Sequence, residues 1–434
     1  MTRGYRFPFL FLIVATTLLA AAACGGDDTT SNGGTPTPAP IVYNFGLNSE
    51  VVVGNGDADN VSAIVFAPDG RIFYAEQFSG DGADSFGLVR VIGADGVLQD
   101  EPFASISVAN YLGLDWGLTG LALDPDFEEN GFVYTFHTAV AGDNIGKPTI
   151  LRFTDDNGIG TEQTIISNDF PDTFAGFQGY NANGEIHFGP DGFLYASVGD
   201  YDQGTADVSR GGQPEVVTSM STPIGKLLRL SKEDGSAAPG NPFISNAEAD
   251  PRIFAHGFRE PFPFTFDSNG NIWGTDNTPD TCEELNLITA GGDYGWPTGW
   301  TFPFAECSAG SGTDPVSNFA RDGRQPGDFL SFVESQGINF LTDSAYSQLA
   351  DSLLVCQSEK SVVQDFVSNG AIRQFTMSGN TVASSSIVVN DCRGEVAVNG
   401  GEVFYATRTE IRKLIEGSAA PATTPATQIP PPIS

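Results

Sequence analysis

The stretch FGPDGFLYASVGD, residues 188–200, decides the fold, because a Pro-Asp-Gly turn lies between two apolar segments. Turn residues of this kind between alternating apolar positions are typical of a β-hairpin. Five other stretches repeat the pattern, and they are FAPDGRIFYAE (66–76), LDPDFEENGFVYTFH (123–137), FDSNGNIWGTDN (266–277), LTDSAYSQLADSLLVC (341–356) and VNGGEVFYATR (398–408). The chain therefore contains six copies of one predicted hairpin.

The spacing of the hairpins indicates how they assemble. They are spread over residues 42–416, so each unit has about 60 residues, a little more than four short strands with connections require. Radial repetition is one way in which an all-β chain avoids open sheet edges. The sequence therefore predicts an all-β fold, a six-bladed β-propeller at residues 42–416. A pair of β-sandwiches is the alternative, but it does not explain six copies of one hairpin.

The first residues predict export. Arg3 and Arg6 precede an apolar run and a series of small residues that ends at Cys24, which is typical of a signal peptide over residues 1–23. The pattern resembles a bacterial lipoprotein processing site, in which Cys24 becomes the lipidated N-terminus. An ordinary secretory signal cut near Ala23 is the alternative. The expected location is the bacterial cell envelope, with the outer membrane or cell surface preferred.

Segments without periodic apolar positions flank the predicted propeller. Residues 24–41 are predicted to be a flexible Gly/Thr/Pro tether, and residues 417–434 a disordered Pro/Ala/Thr tail. The chain has 54 Asp and Glu against 20 Lys and Arg, a formal net charge of −34. Such an acidic surface excludes a nucleic-acid partner and favours cations and neutral ligands. The sequence leaves the oligomeric state open.

The propeller prediction places polar residues on one face of the disc. The six hairpin turns share one face, so residues before each first strand and after each second strand gather around the channel on the other. These positions are Asp115, Trp116, Tyr180, Asn181, His256, Arg259, Gln336 and Arg393, with the strand exits Gln77, Asp200, Asp276, Gln357 and Arg408. The channel face is therefore the expected functional site.

Longer motifs carry a resemblance to a known family. They are GLTGLALDPDFEENGFVYTF from Gly117, GEIHFGPDGFLYASVGD from Gly184, IGKLLRL from Ile224, IFAHGFREPFPFTFD from Ile253 and EELNLITAGGDYGWP from Glu283. In these motifs the chain resembles the glucose/sorbosone dehydrogenases, six-bladed propellers that include soluble quinoprotein sugar dehydrogenases. The resemblance implies an oxidoreductase for an aldose or polyol, with pyrroloquinoline quinone (PQQ) and Ca²⁺ as cofactors. The motifs are mainly scaffold, and scaffold does not fix chemistry.

The catalytic base of the family is missing. In the family a His shortly before the FGPDG-type turn accepts the hydroxyl proton as hydride passes to the quinone, and here residues 180–183 read Tyr-Asn-Ala-Asn. His137 and His187 are interpreted as structural residues of strands. The candidate catalytic residues are therefore Tyr180, Asn181, His256 and Asp115.

The resemblance implies cofactor contacts that this chain keeps only in part. Arg259 matches a family Arg, whose planar fork suits a carboxylate or dione oxygen, but Glu260 stands where the family has Asn. Phe332 is the one available substitute for a stacking Trp. Lys360 lies within about one position of a family Lys, and Arg393 is one position off a pair of family Arg residues. The expected cofactor-binding residues are Arg259, Phe332, Lys360 and Arg393.

The Ca²⁺ of the family is held partly by main-chain carbonyls of a Gly-Pro pair, which aligns with Thr278 and Pro279 here. Main-chain ligands tolerate that change of side chain. An acidic loop is expected around them, which suits hard oxygen ligation, and it contains Asp276, Asp280, Glu283 and Glu284. An ordinary solvated acidic loop is the alternative.

Four cysteines besides Cys24 predict two disulfides, because export leads to an oxidising compartment. Four cysteines permit three pairings. Cys356 ends the fifth hairpin and Cys392 precedes the sixth, which favours a Cys356–Cys392 bond and leaves Cys282 with Cys307.

Two hypotheses of function remain open. The first is an exported, lipid-anchored quinoprotein-type oxidoreductase that binds a sugar or polyol. The second is a non-catalytic propeller of the same ancestry that binds a carbohydrate or a protein at its channel face. A hydrolase lacks support, because the sequence has no GxSxG elbow and no HExxH motif.

Overall fold

The computed structural model describes residues 46–54, 56–79, 85–110, 115–174, 180–204, 212–277, 283–297, 312–319, 333–347, 349, 352–361 and 364–417. The chain divides into Met1–Pro40 and Ile41–Ser434, and every described residue belongs to the second unit. The predicted signal peptide and tether, and the tail beyond Gly417, lie outside the described residues. Within the described residues, no helix has the length and apolar character needed to cross a membrane.

The described strands form six antiparallel sheets, which confirms the six-bladed β-propeller. Strand β1 (Leu47–Val53) comes before the first blade. Blade 1 contains β2 (Val61–Phe66), β3 (Ile72–Ser79), β4 (Phe86–Ile92) and β5 (Ala104–Ser107). Blade 2 contains β6 (Leu118–Leu123), the short helix α1 (Phe127–Asn130), β7 (Phe132–Gly142), β8 (Ile145–Asp156), β9 (Ile159–Ser167) and β10 (Thr173–Phe174).

The third and fourth blades follow the same order. Blade 3 contains β11 (Ile186–Phe188), β12 (Leu194–Val198), the short helix α2 (Pro214–Thr218), β13 (Lys226–Leu230) and β14 (Ile253–His256). Blade 4 contains β15 (Phe264–Phe266), β16 (Ile272–Asp276), β17 (Glu283–Ile288) and β18 (Ser317–Phe319).

The last two blades complete the ring. Blade 5 contains β19 (Val333–Leu341), β20 (Ser352–Ser361), β21 (Gln364–Ser378) and β22 (Thr381–Val389). Blade 6 contains β23 (Val396–Asn399), β24 (Glu402–Ala406) and β25 (Ile411–Glu416), and β1 is its fourth strand. Leu47 pairs with Glu416 at one end of this β1–β25 contact. Pairing of the first strand with the last joins the two ends of the propeller, and sequence periodicity had not predicted it, because β1 belongs to no hairpin.

All six predicted hairpins are present, each connecting the first and second strands of its blade. In blade 2 the turn is widened by α1, which ends at Gly131 in a left-handed conformation with φ 64°. Such a conformation favours glycine. First strands of neighbouring blades contact one another, for example β2 with β6 and β19 with β23. The first strands therefore surround the channel.

Apolar side chains between neighbouring blades form the core. One cluster includes Trp116, Phe136 and Tyr201 between blades 2 and 3. Another, between blades 5 and 6, contains the disulfide-bonded Cys356 and Cys392, whose Cα atoms are 5.7 Å apart. The predicted Cys356–Cys392 disulfide is therefore confirmed. Cys282 and Cys307 lie outside the described residues, so their bond stays a prediction.

Candidate functional site

Three carboxylates meet at the channel mouth, from the beginnings of three blades. Asp115 precedes β6, Glu260 precedes β15, and Glu334 is the second residue of β19. One oxygen of each lies within 4.8 Å of one oxygen of the others. Asp115 is partly exposed, whereas Glu260 and Glu334 are buried. These three residues are called the carboxylate cluster below.

The turn before β11 supports the carboxylate cluster from the third blade. The backbone N–H of Asn181 donates to Asp115 Oδ2 at 3.0 Å, and Asn183 Nδ2 donates to Glu260 Oε1 at 2.9 Å. Asn181 has φ 52°, a left-handed conformation that Asn adopts more readily than most residues. Both asparagines are buried. The segment that replaces the family His therefore positions two members of the cluster.

Asp200, which follows β12, holds this turn in place. Its carboxylate accepts hydrogen bonds from Asn181 Nδ2 and Trp296 Nε1, each at 2.8 Å, and from the N–H of Gly204 at 3.0 Å. Gly199 beside it allows a close approach, because a Cβ there would lie 2.0 Å from the Asn181 carbonyl oxygen. A side chain at position 199 would thus displace the turn that carries Asn181.

Asp276 and Arg259 hold the backbone around Glu260 in position. Asp276 accepts the backbone N–H groups of Arg259 at 3.0 Å and Glu260 at 2.7 Å, and burial raises its pKa to about 6. Arg259 Nη1 donates to the Asn277 carbonyl at 2.6 Å and lies 3.8 Å from Glu260. Burial lowers the pKa of the guanidinium, but the charges of Asp200 and Glu260 outweigh this effect and raise it. Arg259 is thus surrounded by carboxylates of the protein itself.

The prediction of an acidic loop around Asp276 is wrong for those of its residues that the structure describes. Asp276 ends β16, and Glu283 and Glu284 begin β17, so all three are buried strand residues. Register pairs Asp276 with Glu284 inside blade 4, and all three side chains are buried, so none of them belongs to a solvated loop. Asp280, Thr278 and Pro279 lie outside the described residues, so the main-chain Ca²⁺ site stays a prediction.

Glu283 is a fully buried carboxylate whose oxygens have no hydrogen-bond partner among the described residues. Burial raises its pKa well above the ordinary value, and the charges of Glu334 and Glu260 raise it further. Asn183 Oδ1 is a further buried atom without a hydrogen-bond partner among the described residues. Buried polar atoms in folded proteins are nearly always hydrogen-bonded, so these oxygens require an explanation.

The cationic part of the mouth comes from blade 6. Arg393 precedes β23, and its Nη2 is buried with no hydrogen-bond partner among the described residues. Burial lowers its pKa, as does the charge of Arg408, which follows β24. Arg408 is exposed. The structure therefore places a second guanidinium near Arg393, from a segment that sequence analysis had considered only as a strand exit.

Of the other candidate residues, the structure places Tyr180 at the channel mouth and His256 away from the carboxylate cluster. Tyr180 is exposed at the mouth, next to Asn181. His256 ends β14, the outermost strand of its blade, where its Nδ1 lies 3.5 Å from Asp293, and it does not join the cluster. Lys360 lies on β20, but its side chain is not described, and Phe332 lies outside the described residues.

None of the three histidines takes the place of the family base. His137 is buried on β7, where burial lowers its pKa to about 4 and keeps the imidazole neutral. His187 lies on β11, with its ring against Phe264 and Nε2 3.0 Å from Glu185. His256 is on the blade rim, as described above. The structural interpretation of His137 and His187 agrees with these positions.

Sequence reasoning missed Glu334 and chose Gln336 instead. Register shifts between Ser335 and Gly337 in the β19–β20 pair, so Gln336 is the extra residue of a bulge. A bulge re-aims the side chains that precede it, and it is not visible in a period-two pattern. The beginning of the first strand would have identified Glu334, because polar residues of the other blades also lie near the beginning of their first strands.

The chain is thus a six-bladed β-propeller with a polar channel mouth. The sequence profile of the Glucose / Sorbosone dehydrogenase family matches residues 58–372. The chain therefore belongs to this family.

Several characterised proteins are similar to the chain. It is 26% identical over 281 residues to quinoprotein glucose dehydrogenase B of Acinetobacter calcoaceticus, covering 61% of this chain and 55% of that one. It is 25% identical over 204 residues to the Hedgehog-interacting protein of Mus musculus, covering 42% of this chain and 28% of that one. The chain spans about half the length of the first curated relatives it matches.

Solved structures share the fold. The PQQ-bound aldose sugar dehydrogenase of Streptomyces coelicolor superposes with a TM-score of 0.59 at 19% identity, covering 86% of this chain and 99% of that one. The apo form of the soluble aldose sugar dehydrogenase of Escherichia coli gives 0.61 at 18% identity, with 85% and 99% covered. At this identity the similarity establishes the fold alone.

The described residues fit PQQ at one side of the mouth. Arg393 Nη2 has no hydrogen-bond partner among the described residues, and with Arg408 beside it this guanidinium suits a carboxylate of the quinone. Glu260, at the family's Asn position, instead presents a carboxylate together with Glu334 and Asp115. An anionic cofactor is therefore attracted to Arg393 and Arg408. It can approach the carboxylate cluster only where the negative charge of those three residues is neutralised.

Proposed function

We propose that the protein is a quinoprotein-type oxidoreductase of an aldose or polyol, with its active site at the channel mouth. The observation that carries the proposal is the Arg393 guanidinium, whose buried Nη2 has no hydrogen-bond partner among the described residues. Arg393 lies one position off a family arginine pair. A buried donor left unsatisfied costs about 1–3 kcal/mol, so the site is stabilised by an acceptor from a ligand. Family membership supports PQQ as that ligand.

In this proposal, Arg393 and Arg408 hold a cofactor carboxylate, and PQQ, when bound, supplies the hydride acceptor. The sugar enters past the exposed Tyr180, whose hydroxyl is available to hydrogen-bond a substrate hydroxyl. Asn181 and Asp200 keep the floor rigid through their 2.8 Å hydrogen bond. A net charge of −34 favours a neutral substrate over an anionic one.

Quinone titration of the purified chain tests the proposal. PQQ with Ca²⁺ is expected to bind saturably, and Arg393→Ala is expected to weaken binding at least about tenfold, because a charge-assisted hydrogen bond contributes roughly 1.5–3 kcal/mol. Lys413→Ala is the control, since this cation of the same blade is paired with Glu402 at 2.6 Å. Equal affinities of Arg393→Ala and the wild type would place the quinone elsewhere.

A non-catalytic propeller is the second candidate function, and Glu260 favours it. The residue replaces a family Asn, is buried, and belongs to an acidic group that repels an anionic cofactor. A carbohydrate or protein ligand would then bind at the same mouth. Absence of PQQ binding, with and without Ca²⁺, would favour this function over the oxidoreductase.

Export and lipid anchoring at Cys24 are part of the proposal and rest on the basic, apolar and small-residue pattern of residues 1–24. Cells that express the chain with radiolabelled palmitate are expected to label it, and Cys24→Ala is expected to abolish label and membrane fractionation. Cys282→Ala serves as the matched cysteine control and is expected to keep the label. Label retained by Cys24→Ala would contradict the anchor.

A further inference from the structure

The acidic residues around the channel mouth differ in their access to a ligand. Asp115 is partly exposed. The acids described with it above are at most 7% exposed, and they are Asp200, Glu260, Asp276, Glu283, Glu284 and Glu334. Glu260 and Glu334 also have interaction partners in the structure, as does Asp202, which is partly exposed as well. A general base must come within hydrogen-bond reach of the proton that it accepts, so access favours Asp115.

One oxygen of Asp115 is held by the protein and the other is open. The backbone N–H of Asn181 donates to Oδ2 at 3.0 Å, which fixes the carboxylate against the turn before β11. No described residue donates to Oδ1. An ionised carboxylate oxygen accepts hydrogen bonds and does not donate them. Asp115 therefore offers a positioned acceptor to a ligand at the mouth.

The exposed Tyr180 lies close to this acceptor. It is bonded to Asn181, whose N–H makes the contact with Asp115, so the Tyr180 backbone lies about one peptide unit from the carboxylate. Its phenol is at the surface and both donates and accepts hydrogen bonds. A substrate hydroxyl between the two side chains would meet a donor in Tyr180 and a proton acceptor in Asp115.

We propose that Asp115 is the catalytic base in place of the family histidine, and that its Oδ1 accepts the hydroxyl proton of an aldose. The carbon–hydrogen bond breaks as hydride passes to the quinone, the O–H bond breaks as the proton passes to Asp115, and the C–O single bond becomes a carbonyl. The quinone gains two electrons, and the partly exposed carboxyl group returns its proton to water. This assignment rests on the proposed function.

Calorimetric titration of the quinone-free chain with D-glucose tests the contact without redox chemistry. The wild type is expected to bind, and Asp115→Asn is expected to weaken binding about tenfold, because a hydrogen bond to a charged acceptor is lost. Asp143→Asn is the matched control, since Asp143 is exposed in the turn between β7 and β8 of the same blade. Absence of binding to the wild type, or equal affinities of the wild type and Asp115→Asn, would overturn the proposal.

Folding is controlled in the same variants. Asn has nearly the size of Asp and keeps an oxygen that can accept the N–H of Asn181, so the Tm of Asp115→Asn is expected to equal that of the wild type. Asp115→Glu keeps the carboxylate and is the conservative variant for the rate measurement. A lower sugar affinity at an unchanged Tm is then a lost contact with the ligand.

Turnover of the quinone-loaded chain with D-glucose and an artificial electron acceptor tests proton transfer. Asp115→Asn is expected to lower kcat at least about 100-fold, the size of a typical base contribution, whereas Asp115→Glu recovers most of the rate. The residual kcat of Asp115→Asn is expected to rise about tenfold per pH unit, because hydroxide replaces the lost base. A loss that is independent of pH, or one that Asp115→Glu does not recover, would indicate a structural role and overturn the proposal.

Failure of the base and failure of the proposed function give different results. A wild type that oxidises D-glucose with a kcat that does not depend on Asp115 would overturn the base alone. A quinone-loaded wild type that binds D-glucose through Asp115 but does not oxidise it would overturn the proposed function and, with it, the role of Asp115 as a base.

Discussion

Removing the bond between Cys356 and Cys392 is expected to lower the free energy of unfolding by about 4 kcal/mol. The two residues are 36 positions apart, and a cross-link over a loop of this length removes considerable entropy from the unfolded chain. Both side chains are fully buried between blades 5 and 6. The bond therefore stabilises the junction at the end of the ring.

The double variant Cys356→Ala/Cys392→Ala measures this effect without burying a new polar group. Urea unfolding under oxidising conditions is expected to show a lower midpoint than the wild type, and excess reductant is expected to reduce the difference. Each single variant controls for the loss of packing around one sulfur. A double variant whose midpoint equals that of the oxidised wild type would show that the cross-link does not stabilise the fold.

Arg259→Met is expected to lower the free energy of unfolding by about 3–5 kcal/mol at pH 7.5, because it leaves buried carboxylates without their cation. The affected carboxylates include Asp200, Glu260 and Asp276, whose charges act on the guanidinium. Arg259 Nη1 also donates to the Asn277 carbonyl, which would lose its donor. The variant tests how strongly the channel mouth depends on one positive charge.

The loss is expected to depend on pH in a defined direction. Burial holds the pKa of Asp276 at about 6, above its ordinary value, so its ionisation destabilises the folded state as pH rises through that value. Without Arg259 the folded-state pKa rises further. Acidification to pH 5 then protonates Asp276 in the folded protein, and the difference from the wild type shrinks.

Urea midpoints of both proteins at pH 7.5 and 5 measure this dependence. Arg152→Met is the control, because Arg152 lies 4.1 Å over the Phe132 ring and its loss removes a cation–π contact of about 1 kcal/mol or less. For Arg152→Met, the difference in urea midpoint from the wild type is expected to be the same at pH 7.5 and pH 5. A loss in Arg259→Met that is equal at both pH values would mean that packing, and not charge, is the cause.

Local sequence was sufficient for the propeller, because each hairpin is encoded within about fifteen residues by turn residues and alternating apolar positions. The stretch FGPDGFLYASVGD predicts β11 and β12, and the five other copies predict their strand pairs in the same way. The Cys356–Cys392 bond followed as well, since the ends of consecutive hairpins lie at one face of adjacent blades. Asp115, Asn181 and Arg259 were placed at the channel mouth on the same reasoning.

Contacts between segments that are distant along the chain could be identified only from the folded propeller. The pairing of β1 with β25 and the approach of Arg408 to Arg393 join segments of blade 6 that are distant along the chain or separated by a hairpin. Asp115, Glu260 and Glu334 meet from three different blades. Register decided two further features, the bulge that brings Glu334 to the mouth and the burial of Glu283 on a strand. Turn chemistry and periodicity report only on neighbours along the chain. The charge balance of the site arises from closing six blades around one axis, which brings together residues that no local pattern connects.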